Sequence, residues 1–128
     1  MIYLWIALGS AAGGAARYWC YGFTARNFGD SFPWGTLAVN VIGSAVIGFF
    51  ATLTAPEGRL LVPSAARLFV MAGVCGGFTT FSTFSLETLN LLRDGDWLRA
   101  FGNVAGTLVL CLAGVWMGFL LASVLNER

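Results

Sequence analysis

Four long apolar stretches, separated by short polar breaks, dominate the hydrophobic pattern of the chain. They cover residues 2–23, 34–53, 68–92 and 97–125. A helix needs about 20 mostly apolar residues to cross the roughly 30 Å hydrocarbon core of a bilayer. The stretches lack the broad polar face of helices in a water-soluble bundle. The pattern therefore predicts an all-α membrane protein with four transmembrane helices in one domain, residues 1–128.

Composition supports a membrane protein and argues against two classes of function, catalysis and nucleic-acid binding. The 128 residues are 58% hydrophobic and 10% charged, with a mean hydropathy of +0.79. Four spanning helices leave no room for a soluble catalytic domain, and the chain has no His, the commonest proton shuttle and metal ligand. We therefore expect no enzyme and no catalytic residue. The seven Arg are scattered and Lys is absent, so nucleic acid is not an expected partner.

The three cysteines, Cys20, Cys75 and Cys111, lie far apart, each within an apolar run. This spacing fits neither a zinc cluster nor a disulfide framework. Free Cys behaves as a small hydrophobic residue, so we interpret all three as packing residues.

The distribution of Arg gives no clear orientation in the membrane. With four spans, the two termini and the central loop lie on one side, which carries Arg59, Arg67 and Arg128. The other two loops lie on the opposite side, which carries Arg26, Arg93 and Arg99. Arg17 lies inside the first span. Orientation normally follows an excess of positive charge on the cytoplasmic side. The tie therefore predicts insertion in both orientations and head-to-tail pairing of two copies, unless other features set the orientation.

The third stretch contains a segment, residues 76–85, that begins with two Gly and then alternates Phe with hydroxyl residues. Two adjacent Gly weaken a helix, and non-helical backbone within a bilayer requires a polar cavity or a protein environment. This favours a broken third helix whose freed carbonyls can bind a cation. A continuous helix stays open as the alternative, with Gly for close packing and hydroxyls bonded to the preceding turn.

Polar residues on the second and fourth stretches recur every four positions, so each set forms one stripe on a helix. The stripes are Thr36, Asn40 and Ser44, and Asn103, Thr107 and Cys111. Asn40 offers N–H donors for an anion, although an amide at this depth also commonly joins helices. Phe81 and Phe84, three apart, can present positive ring edges to an anion or simply pack in the core. Together these features favour a polar path for an anion.

The residues 76–85, followed by Glu87, resemble the signature of the Fluc (CrcB) fluoride channel family. Residues 35–40 and 13–17 also resemble that family, and the length and four-span layout agree over the whole chain. The resemblance implies an antiparallel, dual-topology homodimer in the inner cell membrane, with two fluoride pores and a third helix broken in mid-membrane. Passive export of fluoride, as protection against its toxicity, is the implied function.

The resemblance also implies roles for individual residues. Phe81 and Phe84 would contact fluoride, and the remaining pore residues would be Asn40, Ser82, Thr83 and Thr107. Backbone carbonyls of Gly76 and Thr79 from both subunits would hold a structural Na⁺ that is not transported. Arg17 and Glu87 would have entrance or structural roles. The fourth helix departs from the family pattern at Asn103, where an aromatic residue or His is frequent, and at Cys111, where a hydroxyl is expected.

Two other classes of membrane protein remain open from the residues. A small proton-coupled exporter would place a titratable carboxylate near the membrane centre, whereas the only acid within the spans, Glu87, lies near a helix end. A non-transporting assembly subunit would account for the Gly-rich packing motifs but would leave the polar stripes without a role.

Overall fold

The computed structural model describes all residues from Met1 to Arg128 and contains helices but no strands. In chain order the elements are α1 (Ile2–Phe28), α2 (Trp34–Leu53), α3 (Ser64–Leu68), a π-helical segment (Phe69–Cys75), α4 (Gly76–Phe78), α5 (Phe81–Arg93) and α6 (Trp97–Asn126). The elements from α3 to α5 follow one another closely and form the third of four helical regions. The predicted all-α class is confirmed.

Three of the four helical regions are long and apolar enough to cross a membrane: Trp34–Leu53, Ser64–Arg93 and Trp97–Asn126. The fourth, α1, has 27 residues but is less apolar, because its middle consists largely of Gly and Ala and its last turns are polar. It also continues to Phe28, five residues beyond the predicted end, before Gly29 stops it with φ 78°. Three such helices identify a multi-pass membrane protein.

Very little of the chain is buried within one subunit. Only 20 of the 128 residues are buried, and large apolar side chains such as Leu61 and Leu98 are more than 80% exposed. A soluble protein of this size would hide most such side chains from water. The apolar surface therefore requires lipid or another protein chain.

Helix packing depends on Gly at close backbone contacts. On α1, a Cβ atom added to Gly9 would lie 2.9 Å from the Cα of Gly73 in the π-helical segment. On α6, a Cβ atom added to Gly118 would lie 2.7 Å from the backbone N of Phe49 in α2. Neither distance can accommodate a side chain. These contacts join α1 to the third helical region and α6 to α2, which are the two main helix pairs.

Candidate functional site

The third helical region leaves the helical conformation at two residues. Thr79 has φ −85° and ψ 159°, and Thr80 has φ −156° and ψ 117°, both extended. Of the two Gly before them, Gly77 packs on α1, where an added Cβ would lie 2.8 Å from the Cα of Ser10. A Cβ added to Gly76 would contact only the Met71 carbonyl oxygen, at 3.9 Å. The close packing and the non-helical backbone, considered above as alternatives, therefore occur together.

Asn40 of α2 holds the extended segment in place through both ends of its amide. Its Oδ1 accepts a hydrogen bond from the Thr80 N–H at 2.8 Å, and its Nδ2 donates to the Thr80 carbonyl at 3.1 Å. Both residues are buried. Backbone groups freed from the helix are thus satisfied by one side chain, as a low-dielectric environment requires. The amide retains one further N–H, because a primary amide has two donors.

The side chain of Thr80 starts the next helix. Its Oγ1 accepts a hydrogen bond from the Thr83 N–H at 3.2 Å and lies 3.1 Å and 3.3 Å from the hydroxyls of Thr83 and Ser82. This is an N-cap, which satisfies an N–H group at the first turn of α5. A Thr directly before an apolar helical run is a recognisable signal for such a cap, but this cap was not among the predictions from the sequence.

The two predicted aromatic residues lie next to each other on α5. Their ring centroids are 5.3 Å apart and their planes are inclined by 51°. Their environments differ, since Phe84 is 7% exposed and Phe81 is 76% exposed. Phe84 therefore has a fixed position within the subunit, whereas Phe81 is available to lipid or a second chain.

A cavity of about 350 Å³ lies beside the extended segment. We call it the central cavity; its walls come from α2, the third helical region and α6, and none of its lining residues is charged. It brings together six of the predicted site residues: Asn40, Gly76, Thr79, Phe81, Phe84 and Thr107. Residues from three separate helical regions therefore converge on one uncharged space.

Four predicted residues lie outside the lining of the central cavity. Ser82 and Thr83 contribute to the α5 cap instead. Arg17 reaches the extended segment from α1, where its Nη1 donates a hydrogen bond to the Thr79 carbonyl at 3.4 Å. Glu87 lies in a separate cavity farther along α5.

This second cavity has a volume of about 420 Å³ and an acidic lining. We call it the acidic cavity, because it contains Asp30, Glu87 and Asp94 but no Arg. The Thr36 hydroxyl donates to Glu87 Oε1 at 2.9 Å. Thr36, the first member of the α2 stripe, thus belongs to the acidic cavity, and Asn40, one turn later, belongs to the central one.

Asn103 is fully buried between α5 and α6. Its Nδ2 donates to the Thr88 hydroxyl at 3.0 Å, and that hydroxyl donates to the Phe84 carbonyl at 2.8 Å. Thr107 Oγ1 lies 3.4 Å from Asn103 Oδ1. Thr88 was not among the residues predicted for the site, although a hydroxyl one turn after Phe84 was an available signal. Asn103 therefore links the α5 helix that carries Phe84 to α6.

Comparison with known proteins is consistent with these features. Residues 4–119 match the family model described as CrcB-like protein, Camphor Resistance (CrcB). Three proteins named fluoride-specific ion channel FluC are 65%, 58% and 55% identical to the chain; they come from Opitutus terrae, Methylocella silvestris and Paramagnetospirillum magneticum. The alignments cover 98%, 99% and 99% of this chain and 96%, 97% and 99% of the respective relatives. The chain therefore belongs to the CrcB family.

Proposed function

We propose that the protein is a fluoride-selective ion channel through which fluoride leaves the cytoplasm passively. Relatives of at least 55% identity over nearly their whole length carry the name of fluoride-specific ion channel. The observation that carries the proposal is the uncharged central cavity, where an amide, hydroxyls and two phenyl rings meet at a non-helical segment. A channel of this kind performs no covalent chemistry, so the protein is not an enzyme.

The chemistry of the central cavity suits a small, strongly hydrated anion. Fluoride must exchange its water shell for hydrogen-bond donors, and binding must stay weak enough for release. The second N–H of Asn40 is one such donor, and the Thr107 hydroxyl, whose bond to Asn103 is long, is another. No side chain in the lining is charged, so binding would depend on oriented hydrogen-bond donors rather than on a side-chain charge.

Phe81 and Phe84 would supply the remaining contacts with fluoride. The edge of a phenyl ring carries partial positive charge, and two rings at 5.3 Å can present edges to one ion. Ser82 and Thr83, at the first turn of α5, would extend the polar path away from the central cavity. Arg17 and Glu87 are proposed as structural or entrance residues.

The functional unit would be an antiparallel homodimer with two pores. In this arrangement all four helical regions, including α1, cross the bilayer, and the extended segment at Thr79 and Thr80 lies in mid-membrane. Two features support it: the Arg count is equal on the two sides, and most of the apolar surface, including Phe81, is exposed in one subunit. A second copy would cover part of that surface.

A structural Na⁺ at the dimer centre would be held by the backbone carbonyls of Gly76 and Thr79. The Gly76 carbonyl fits this role, because the Thr80 N–H that a continuous helix would direct at it is donated to Asn40 instead. The Thr79 carbonyl would have to bind Na⁺ and also accept the hydrogen bond that Arg17 donates to it at 3.4 Å. Carbonyl oxygens suit a hard cation, and the ion would neutralise carbonyl dipoles that point at one another across the dimer axis.

The channel function is tested by fluoride efflux from liposomes that contain the purified protein, recorded with a fluoride electrode. We expect fast fluoride efflux, negligible chloride efflux under the same imposed gradient, and no requirement for a proton gradient. Obligatory dependence on protons would indicate a coupled exporter instead. Absence of any flux from folded protein would contradict the channel and favour an assembly role.

The Na⁺ and dimer proposals need separate measurements. Replacing Na⁺ with N-methylglucamine should lower efflux, and returning Na⁺ should restore it; unchanged efflux in rigorously Na⁺-free solution would contradict the ion's role. A single Cys placed at the C-terminus of a Cys-free variant should react with a membrane-impermeant reagent from both sides of the membrane. Labelling from one side only would contradict dual topology.

A further inference from the structure

A single side-chain hydrogen bond connects α5 to α6, the one that Asn103 Nδ2 donates to the Thr88 hydroxyl at 3.0 Å. The two helices pack on each other far less extensively than α2 and α6 do. Asn103 has no exposed surface, so its amide would be costly to leave without a partner. This bond therefore matters more for the placement of α5 against α6 than it would in a tightly packed helix pair.

The bond lies one helical turn from the central cavity. Thr88 and Asn103 meet on either side of the short turn 94–96, so α5 and α6 run antiparallel. Four residues farther from that turn, Phe84 shares the face of Thr88, and Thr107 shares the face of Asn103. Both Phe84 and Thr107 line the central cavity, about 6 Å from the bond along the helix axes.

The Asn103 amide contacts both of these rows of residues. Its Nδ2 donates to Thr88, whose hydroxyl donates in turn to the Phe84 carbonyl at 2.8 Å. Its Oδ1 lies 3.4 Å from Thr107 Oγ1. Asn103 itself is not part of the cavity lining. One side chain behind the wall thus connects the residue that carries a phenyl ring with the residue that carries a hydroxyl.

The two phenyl rings differ in how their turns are held. The Thr88 hydroxyl ties the turn that begins at Phe84 to α6. The Ser85 hydroxyl makes the corresponding bond to the Phe81 carbonyl at 2.9 Å but has no partner on another helix. Phe84 is correspondingly buried, whereas Phe81 is exposed. Within the subunit, the position of Phe84 relative to α6 therefore depends on Asn103.

We propose that Asn103 is a positioning residue of the channel, which sets the separation between the Phe84 ring and the Thr107 hydroxyl. This inference rests on the proposed function, in which both groups contact fluoride. Electrostatic contacts weaken with distance, so a shift of α5 away from α6 would weaken fluoride binding although every contacting group is still present. The alternative is a link between helices that affects stability alone, as is common for a buried amide.

Thr88→Val and Thr88→Ser form the main test. Valine keeps the shape of the side chain but cannot accept from Asn103, so fluoride efflux from liposomes should fall about three- to tenfold. Serine keeps the hydroxyl and should keep the wild-type rate. Thr52→Val is the matched control, because the Thr52 hydroxyl makes the same kind of bond, to the Gly48 carbonyl at 2.8 Å, outside the central cavity. Its efflux should equal that of the wild type.

A second comparison separates positioning from stability. If Thr88 acts through the ring, Thr88→Val should have little further effect on efflux in a Phe84→Ile channel. A merely structural effect would lower efflux by the same factor in both backgrounds, because independent effects are additive in free energy. Asn103→Leu should lower efflux at least as much as Thr88→Val, and combining the two should cause little further loss. If Asn103→Leu does not fold, Thr88→Val, at a half-buried position, decides the question.

The contact between α5 and α6 is measured separately from transport, by thermal unfolding of the same variants in detergent. The fall in Tm for the double variant of Asn103→Leu and Thr88→Val should be smaller than the sum of the two single falls. Additive falls would overturn the link. Wild-type efflux in folded Thr88→Val, or an equal loss with and without Phe84→Ile, would overturn the positioning role. Absence of fluoride efflux from the folded wild type would instead contradict the channel function, while the unfolding data would still show whether this link exists.

Discussion

The central cavity and the acidic cavity share α2 and α5 in their linings but differ in chemistry. The first is lined by amide, hydroxyl, sulfur and aromatic groups with no charge, and the second contains three carboxylates. One helical turn on α2, from Thr36 to Asn40, separates a hydroxyl bound to a carboxylate from an amide bound to backbone. On the proposed function, the uncharged cavity would select the anion, and the acidic cavity would affect only how the anion reaches it.

Physical chemistry gives each cavity a different expected role. In an uncharged cavity that lipid and a second subunit would shield from water, oriented donors act strongly because little water competes with them. Carboxylates at a partly solvated opening repel an anion, but salt screens that repulsion over about 8–10 Å. We therefore expect substitutions in the central cavity to change fluoride flux far more than equivalent substitutions in the acidic cavity.

The largest effect is expected for Asn40→Asp. The carboxylate can still accept from the Thr80 N–H, but it cannot donate to the Thr80 carbonyl or to fluoride, and it adds negative charge to an uncharged cavity. Two like charges about 4 Å apart repel by roughly 4 kcal/mol at an effective dielectric constant of about 20, so fluoride efflux should fall at least about a hundredfold. The measurement is electrode-recorded efflux from liposomes.

The same substitution in the acidic cavity provides the control for Asn40→Asp. Asn90 is exposed and lines that cavity, so Asn90→Asp should alter efflux only slightly. Equal losses in the two Asp variants would remove the proposed distinction between the cavities.

Next in size is the loss of aromatic edges in Phe84→Ile and Phe81→Ile. An aromatic contact contributes about 0.5–1.5 kcal/mol, so each substitution should lower fluoride efflux by up to about tenfold while the dimer stays intact on size-exclusion chromatography. Phe101→Ile, at an exposed position on α6, is the control and should leave efflux unchanged. Wild-type efflux in both Phe81 and Phe84 variants would contradict the role of the ring edges.

A smaller effect is expected for Thr107→Val, which removes one hydroxyl and keeps the side-chain shape. Loss of a single neutral donor corresponds to about 0.5–1.5 kcal/mol, so efflux should fall about three- to tenfold. Thr52→Val is the matched control, because the Thr52 hydroxyl bonds to the Gly48 carbonyl and is outside the central cavity. If Thr107→Val conducts as well as the control, the hydroxyl is not a donor to fluoride.

The smallest effect is expected for Glu87→Gln. The amide oxygen can still accept from Thr36, so the local structure should be kept while one negative charge is removed. Fluoride efflux should rise by less than about threefold, and the rise should disappear at high ionic strength. A large, salt-independent loss of efflux would instead place Glu87 within the selective part of the path.

Much of the fold was predictable because lipid imposes a simple length and hydropathy rule on helices. The bounds of α2 agree with the predicted second stretch, and α6 extends only one residue beyond the predicted fourth. The end of α1 was less predictable. The helix continues through the polar residues 24–28, beyond the apolar stretch from which its end was predicted. The third region also began earlier than predicted, at Ser64 directly after Pro63.

The sequence predicted which types of residue form the site, but not which residues contact one another there. Hydroxyl and amide stripes indicated a polar path, and folding brings Asn40, Phe84 and Thr107 to one cavity. Sequence spacing gave no means of choosing between Asn40 as a donor to an anion and Asn40 as a link between helices. The structure shows the link to Thr80 and leaves one N–H available, so the two roles are compatible.

The sequence by itself determined that this is an all-helical membrane protein of the CrcB family, because hydropathy and a local motif are properties of neighbouring residues. The tertiary structure decided which distant residues meet: Asn40 with Thr80, and Asn103 with Thr88. It also decided that the third region contains a π-helical turn and two extended residues. These features depend on backbone groups finding partners on another helix, which local sequence cannot specify.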